Sequence, residues 1–169
     1  FKAKANIKAR RLWLVFAILL TANYGTDTAN GAYSVSNYII FVILCWLPFV
    51  CGDILLKRTG KDNDRYRLAF VIGYGIFYVF LLCTTTSPIA FTYILPIISL
   101  IVIFKDEKFM IYCAVANMLS LIASIAFHIF VLGQNTAADH KNYQLQIACL
   151  LLCYIGYICL LYTSDAADE

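Results

Sequence analysis

Apolar positions along this chain come in long runs rather than in alternation. There are six: Leu12–Ala29, Tyr38–Leu56, Leu68–Thr84, Ile89–Phe104, Phe109–Leu132 and Tyr143–Tyr162, each closed off by polar residues. A helix needs about 20 apolar residues to cross a ~30 Å hydrocarbon core. Each run comes close to that. Lipid admits only helices and closed barrels, and continuous runs lack the period-two pattern of a barrel strand. The pattern predicts an all-α fold, a polytopic membrane bundle of six transmembrane helices. The first run is the weakest, because Thr21, Asn23 and Thr26 dilute its second half. Pro48 and Pro96 each remove a backbone donor, and both are expected to kink the passes that hold them.

Composition sharpens this. Of 169 residues, 62% are hydrophobic and 14% charged, with a mean hydropathy of +0.78. A soluble domain of this size cannot bury so much apolar surface. A soluble nucleotide-binding fold, a nucleic-acid binder and a disulfide-rich secreted domain are excluded, and the lipid bilayer is the expected partner. Of the 13 basic residues, 12 fall before the first run or in the second-to-third and fourth-to-fifth links, leaving Lys141 alone on the other side. By the positive-inside rule both ends are cytoplasmic. A count wrong by one helix would scramble that parity. The expected organisation is a basic cytoplasmic juxtamembrane segment (1–11), a transmembrane domain (12–162) and a tail (163–169).

The two ends read as unnatural. The chain starts at Phe1, and the string from Cys159 to Glu169 looks like translated sequencing-adapter read-through. On that reading Cys159–Glu169 is left out of fold reasoning and the chain is a fragment. Deleting Thr163–Glu169 is then expected to leave folding unchanged.

Candidate chemistry is sparse. Seven cysteines lie in apolar runs without a CxxC pair and are best read as small apolar residues. Cys149 and Cys153 share a helix face but lack nearby histidines for a metal, so no metal and no cofactor is expected. The fifth run is the most informative. Ala116, Ser120, Ser124 and His128 recur at i, i+4, with Asn117 beside them. Small residues at that spacing let another helix approach closely, and the stripe is expected to be buried. It serves either as a packing seam or as the polar lining of a cavity with the titratable His128 near its outer end. Asp53 precedes Lys57 by one turn, as an interfacial pair or as an ion-coupling carboxylate. Ser87 and Pro88 are placed to start the fourth helix. The basic link Lys57–Arg67 fits a topology signal in contact with anionic lipid. No HExxH, GxSxG or phosphate-loop pattern occurs, so no enzyme is expected.

The stretch Arg65–Ile158 carries a resemblance. It includes Arg65-Tyr66-Arg67-Leu68-Ala69-Phe70, then Thr84-Thr85-Thr86-Ser87-Pro88 and Phe91-Thr92-Tyr93-Ile94-Leu95-Pro96. Later come Phe130-Val131-Leu132-Gly133 and Asn142-Tyr143-Gln144-Leu145-Gln146. These resemble the six-pass N-terminal membrane region of a group of methyl-accepting chemotaxis proteins from clostridia-like bacteria. The resemblance implies a sensory input region that precedes a cytoplasmic coiled-coil signalling domain, with homo-oligomers formed through that domain. It supplies no ligand residues. A small permease or transporter subunit is the alternative.

Overall fold

Ser34 sits in extended backbone and its hydroxyl accepts a hydrogen bond from the Asn37 amide at 3.2 Å, so a helix starts after it. Asp106 does the same for the Phe109 amide at 2.9 Å. Thr136 and Asp139 form a reciprocal box. The Thr136 hydroxyl accepts from the Asp139 amide at 3.2 Å, and the Asp139 carboxylate accepts from the Thr136 amide at 2.9 Å. These caps open three of six α-helices in the computed structural model, which describes residues 1–85 and 87–168. The side chains of 164–168 lie outside the described residues, and most of the expected tail (163–169) lies there with them. The helices are α1 (Lys2–Ala29), α2 (Val35–Thr59), α3 (Arg65–Thr84), α4 (Leu95–Ile101), α5 (Glu107–Phe130) and α6 (Ala137–Asp168). Among the described residues there is no strand.

Four helical stretches are long and apolar enough to cross a membrane: Val35–Thr59, Arg65–Thr84, Glu107–Phe130 and Ala137–Thr163. The fold is therefore an all-helical one with four candidate spans. α1 has the length, at 28 residues, but Lys2 to Arg11 occupy its first turns and Thr21, Asn23, Thr26 and Asp27 its last ones. The expected juxtamembrane segment 1–11 is thus continuous with the first helix.

The fourth apolar run differs from the expected continuous helix. Its helical part, Ala90–Phe104, is a seven-residue α4 between two 3₁₀ turns, Ala90–Ile94 and Val102–Phe104. Pro96 explains the break. Proline lacks an amide hydrogen and is tolerated only in the first turn of an α-helix, and there it stands. It therefore begins a helix instead of kinking one. Ser87 and Pro88 likewise lead into a 3₁₀ turn rather than an α-helix, with the Ala90 amide donating to the Ser87 carbonyl at 3.2 Å. Ile94, Ile97, Ile98 and Ile101 are all almost fully buried. Irregular backbone at membrane depth is tolerated where protein covers it.

The chain divides into two compact units, Phe1–Phe80 and Leu81–Glu169. In the first, α1 and α2 run antiparallel and the core is aromatic. Trp13 meets Phe49 and Phe70 edge-on, with ring centroids 5.4 and 5.1 Å apart, and Tyr24 stacks on Phe41 at 4.5 Å. Such pairs add about 0.5–1.5 kcal/mol each beyond area burial. Pro48 lies inside α2, which continues through it. Its ring fits against α3 because Gly73 faces it: a Cβ there would lie 2.5 Å from the Pro48 Cβ. In the second unit α5 and α6 pack together and α4 packs on α6. Its core is largely aliphatic, with Ile98, Ile101, Leu121 and Leu150 fully buried.

Candidate functional site

Helical geometry decides which polar residues of α5 meet. A residue advances about 100° around the axis, so each i+4 step drifts by about 40°. From Ala116 to His128 the drift reaches about 120°, and the four residues cannot share one narrow face. Ala116 is in fact exposed and Ser120 half-buried, its hydroxyl turned back to the Ala116 carbonyl at 2.9 Å. Ser124 is buried, with 3% exposure. The buried stripe is instead Cys113, Asn117, Leu121 and Ser124, with His128 half-buried at its end. The single step of three, from Leu121 to Ser124, takes back about 60° of the drift that the steps of four build up. The expectation of a buried stripe thus stands for Ser124 and is corrected for Ala116, while Asn117, placed beside the stripe, lies at its centre.

Asn117 donates from Nδ2 to the hydroxyl of Tyr154 on α6, both groups being buried. This hydrogen bond pins α5 to α6. At the other end of the stripe His128 makes two contacts. Its Nε2 lies 2.6 Å from the carbonyl oxygen of Leu82, in the last turn of α3, and its Nδ1 lies 2.8 Å from Oε1 of Gln134. Gln134 belongs to the link between α5 and α6. Its amide donates to the His128 carbonyl at 3.0 Å, and its own carbonyl accepts from the Tyr143 hydroxyl at 3.1 Å. Gln146 of α6 donates to the Pro88 carbonyl at 3.0 Å. The imidazole therefore joins the end of α5 and the link that follows it to the last turn of α3, 46 residues away.

These groups surround a cavity of about 70 Å³, lined among others by Ser87, Phe91, Ser124, His128, Asp139 and Tyr143. That is room for a few water molecules or one small polar ligand. The chemistry of His128 is constrained on one side only. A carbonyl oxygen accepts and never donates, so Nε2 must carry a hydrogen. Oε1 of Gln134 faces Nδ1 and suits a hydrogen on that nitrogen, whereas a bare Nδ1 would take a hydrogen bond from Nε2 of Gln134 only after the amide turns over. The pair can satisfy both charge states.

A second polar cluster lies in the first unit. Asp53, its side chain 18% exposed, accepts from Arg10 Nε on Oδ1 and faces Lys57 Nζ at 3.2 Å on Oδ2. The bond to Asp53 raises the Arg10 pKa, with desolvation opposing. Lys57 is legible as the i+4 partner of Asp53. Arg10 is 43 residues away in sequence, and no spacing rule reaches it. All seven cysteines are free thiols; Cys149 is exposed and Cys153 half-buried. No group of three metal-ligating side chains occurs among the described residues. The chain matches no family model, no curated protein and no solved structure.

Proposed function

We propose that this chain is the membrane-embedded input region of a bacterial signal-transduction receptor, of the type that precedes a methyl-accepting signalling domain. In this reading it crosses the bilayer six times with both ends cytoplasmic. α1 is the most polar of these passes and the broken fourth segment the shortest. Support for the topology comes from the placement of 12 of the 13 basic residues in alternate links. The chemotaxis assignment rests on the sequence resemblance alone.

The observation that carries the sensory reading is the bridge made by His128 to Leu82 and Gln134. Imidazole is the side chain that ordinarily changes charge between about pH 5 and 8. A hydrogen on Nδ1 matches the Gln134 Oε1 that faces it and a bare Nδ1 would require that side-chain amide to turn over, and Gln134 belongs to the link that precedes α6. A proton, or a small polar ligand that displaces Gln134, would thus bias two arrangements of the α5–α6 connection. The other titratable groups lining the cavity are Asp139 and Tyr143, both from α6. The lining residues from Leu82 to Phe91 add none, and the Cys83 thiol beside Leu82 lies outside the lining. α6 would carry the change to a downstream output domain.

A hybrid that joins this region after α6 to a methyl-accepting signalling domain tests the proposal. Cells carrying it should change swimming bias after a pH step or on addition of a small polar effector. The His128→Gln hybrid should insert equally well and lose the pH response. A hybrid that signals to neither stimulus, or a His128→Gln hybrid with an unchanged pH response, counts against the reading.

A second reading is favoured by one feature, the short buried α4 between 3₁₀ turns. Discontinuous helices of this kind form substrate sites in transporters. Stimulus-independent solute flux in proteoliposomes, reduced by changes around Ser99 and Tyr157 (hydroxyls 2.6 Å apart), would support a permease instead.

A further inference from the structure

We propose that the groove between the first half of α1 and the end of α2 is a binding site for a phosphate-bearing anion. The shared chemistry is a tetrahedral phosphate oxyanion, carried by a lipid headgroup or by a soluble organophosphate. The site goes beyond the sensory reading and does not depend on it.

The groove encloses about 630 Å³, and its charged lining is Arg10, Arg11, Lys57 and Lys61 against the single carboxylate of Asp53. The net charge of that lining is +3, so the field over the groove attracts anions. Asp53 does not neutralise the group; it arranges it. One oxygen holds Arg10 through Nε, and the other holds Lys57. A guanidinium has five donors, and Nε is only one of them. The two terminal nitrogens of Arg10 remain for a ligand, in the forked geometry that suits phosphate. Arg11 and Lys61 make no ion pair with any carboxylate among the described residues.

The loop side of the groove is held in place by a buried group. Asn6, only 3% exposed, donates from Nδ2 to the carbonyls of Lys61 and Asn63, both at 3.0 Å. This clips the α2–α3 link onto α1 and fixes the backbone that carries Lys61. Gly60, with φ +96°, makes the turn that brings the link there. Four cations that converge on one opening repel each other. Two are braced by Asp53 and a third sits on a link tethered by a buried amide. That arrangement suits an anion that accepts from several of them at once. A basic stretch serving only as a topology signal needs no such geometry.

The test uses the full chain in nanodiscs. One arm compares retention of phosphatidylglycerol with retention of phosphatidylcholine by native mass spectrometry. The other titrates glycerol 3-phosphate and inorganic phosphate onto the protein in pure phosphatidylcholine. The variant R11Q/K61Q should lose affinity about tenfold or more, since it removes two charge-assisted contacts. The control R58Q/K108Q removes the same charge outside the groove and should stay within about twofold. The charge-preserving variant R11K/K61R should recover most of the binding, which separates a binding defect from misfolding. Selective retention of phosphatidylglycerol identifies a headgroup site, and binding of the soluble phosphates identifies a soluble ligand; either supports the proposal. No binding in either arm overturns it. So does an equal loss in R11Q/K61Q and R58Q/K108Q.

Discussion

The ion pairs among the described residues all lie in Phe1–Phe80, while the side-chain contacts that join helices from Leu81 onward are made by formally neutral groups. In the first unit Arg10, Asp53 and Lys57 form one cluster, and Lys2 pairs with Asp64 at 2.7 Å. Most of these side chains keep contact with solvent, Lys57 at 77% exposure. In the second unit Asn117 meets a tyrosine hydroxyl and His128 a backbone carbonyl and an amide. The difference follows from the cost of burial. A charge taken out of water costs several kcal/mol even when paired, whereas a neutral polar group is compensated by one good hydrogen bond. Charges therefore gather at the basic ends of α1 and α2, and neutral groups serve inside the α5–α6 pair. Only the second arrangement places an imidazole, His128, between a backbone carbonyl and a side-chain amide.

The largest effect should come from a packing change that touches neither cluster. Gly73→Ala places a Cβ 2.5 Å from the Pro48 Cβ and 3.4 Å from the Trp13 ring. Overpacking of this kind costs about 1–3 kcal/mol. Gly75→Ala meets nothing within 4 Å and should stabilise α3 by about 0.5–1 kcal/mol. Denaturant unfolding in mixed micelles should rank the two variants in opposite directions from the native chain. Equal effects would mean that α2 and α3 do not approach at Pro48.

The neutral pin should come next. Asn117→Leu leaves the buried Tyr154 hydroxyl without its donor and should cost about 1–3 kcal/mol. Adding Tyr154→Phe should restore much of that, because no polar group is then stranded. A double-mutant cycle with no coupling would break the assignment of Asn117 as the residue that joins α5 to α6.

The rotated stripe predicts an unequal pair. Ser124→Leu crowds a buried position and should lower stability by about 1–3 kcal/mol. Ser120→Leu, on a half-buried position, should stay within about 0.5 kcal/mol. The reverse order would restore the straight i, i+4 face that includes Ala116.

The charged cluster should give the smallest effect. Asp53→Asn removes the partner of two cations that remain substantially exposed, so stability should fall by less than about 1 kcal/mol. The phosphate affinity of the groove should change more than its stability, because Arg10 and Lys57 lose the group that orients them. A loss of several kcal/mol would show that Asp53 lies deeper than its exposure indicates.

Much of the architecture could be read from the chain. All six apolar runs coincide with helical segments, since long uninterrupted runs leave few other ways to satisfy the backbone. The break in the fourth was written in Pro96, whose meaning depends on whether it opens a helix or interrupts one. The site was half legible. His128 and Ser124 could be found from their place on α5, but the i, i+4 rule held over four residues ignores the drift of the α-helix and so drew in Ala116. The partners of His128 could not be found that way. Leu82 contributes a backbone carbonyl, which every residue has, and Gln134 is one of several polar residues in a link. Arg10 and Asp53 are joined by tertiary packing alone. Thr136 and Asp139 carried a readable capping box that places the start of α6 well before Tyr143.

Whether His128 is a two-state element is best decided by nitrogen NMR of the chain in nanodiscs, labelled with [¹⁵N]histidine and [¹⁵N]glutamine. The His140→Gln variant would assign the ring signals, as the chain has 2 histidines. The Leu82 carbonyl requires the neutral ring to be the Nε2–H tautomer. Lowering the pH should convert it to the doubly protonated ring, and the Gln134 side-chain amide should shift with the same midpoint. A neutral ring protonated on Nδ1, or a Gln134 amide that stays unchanged while His128 titrates, would contradict the coupling on which the sensory reading rests.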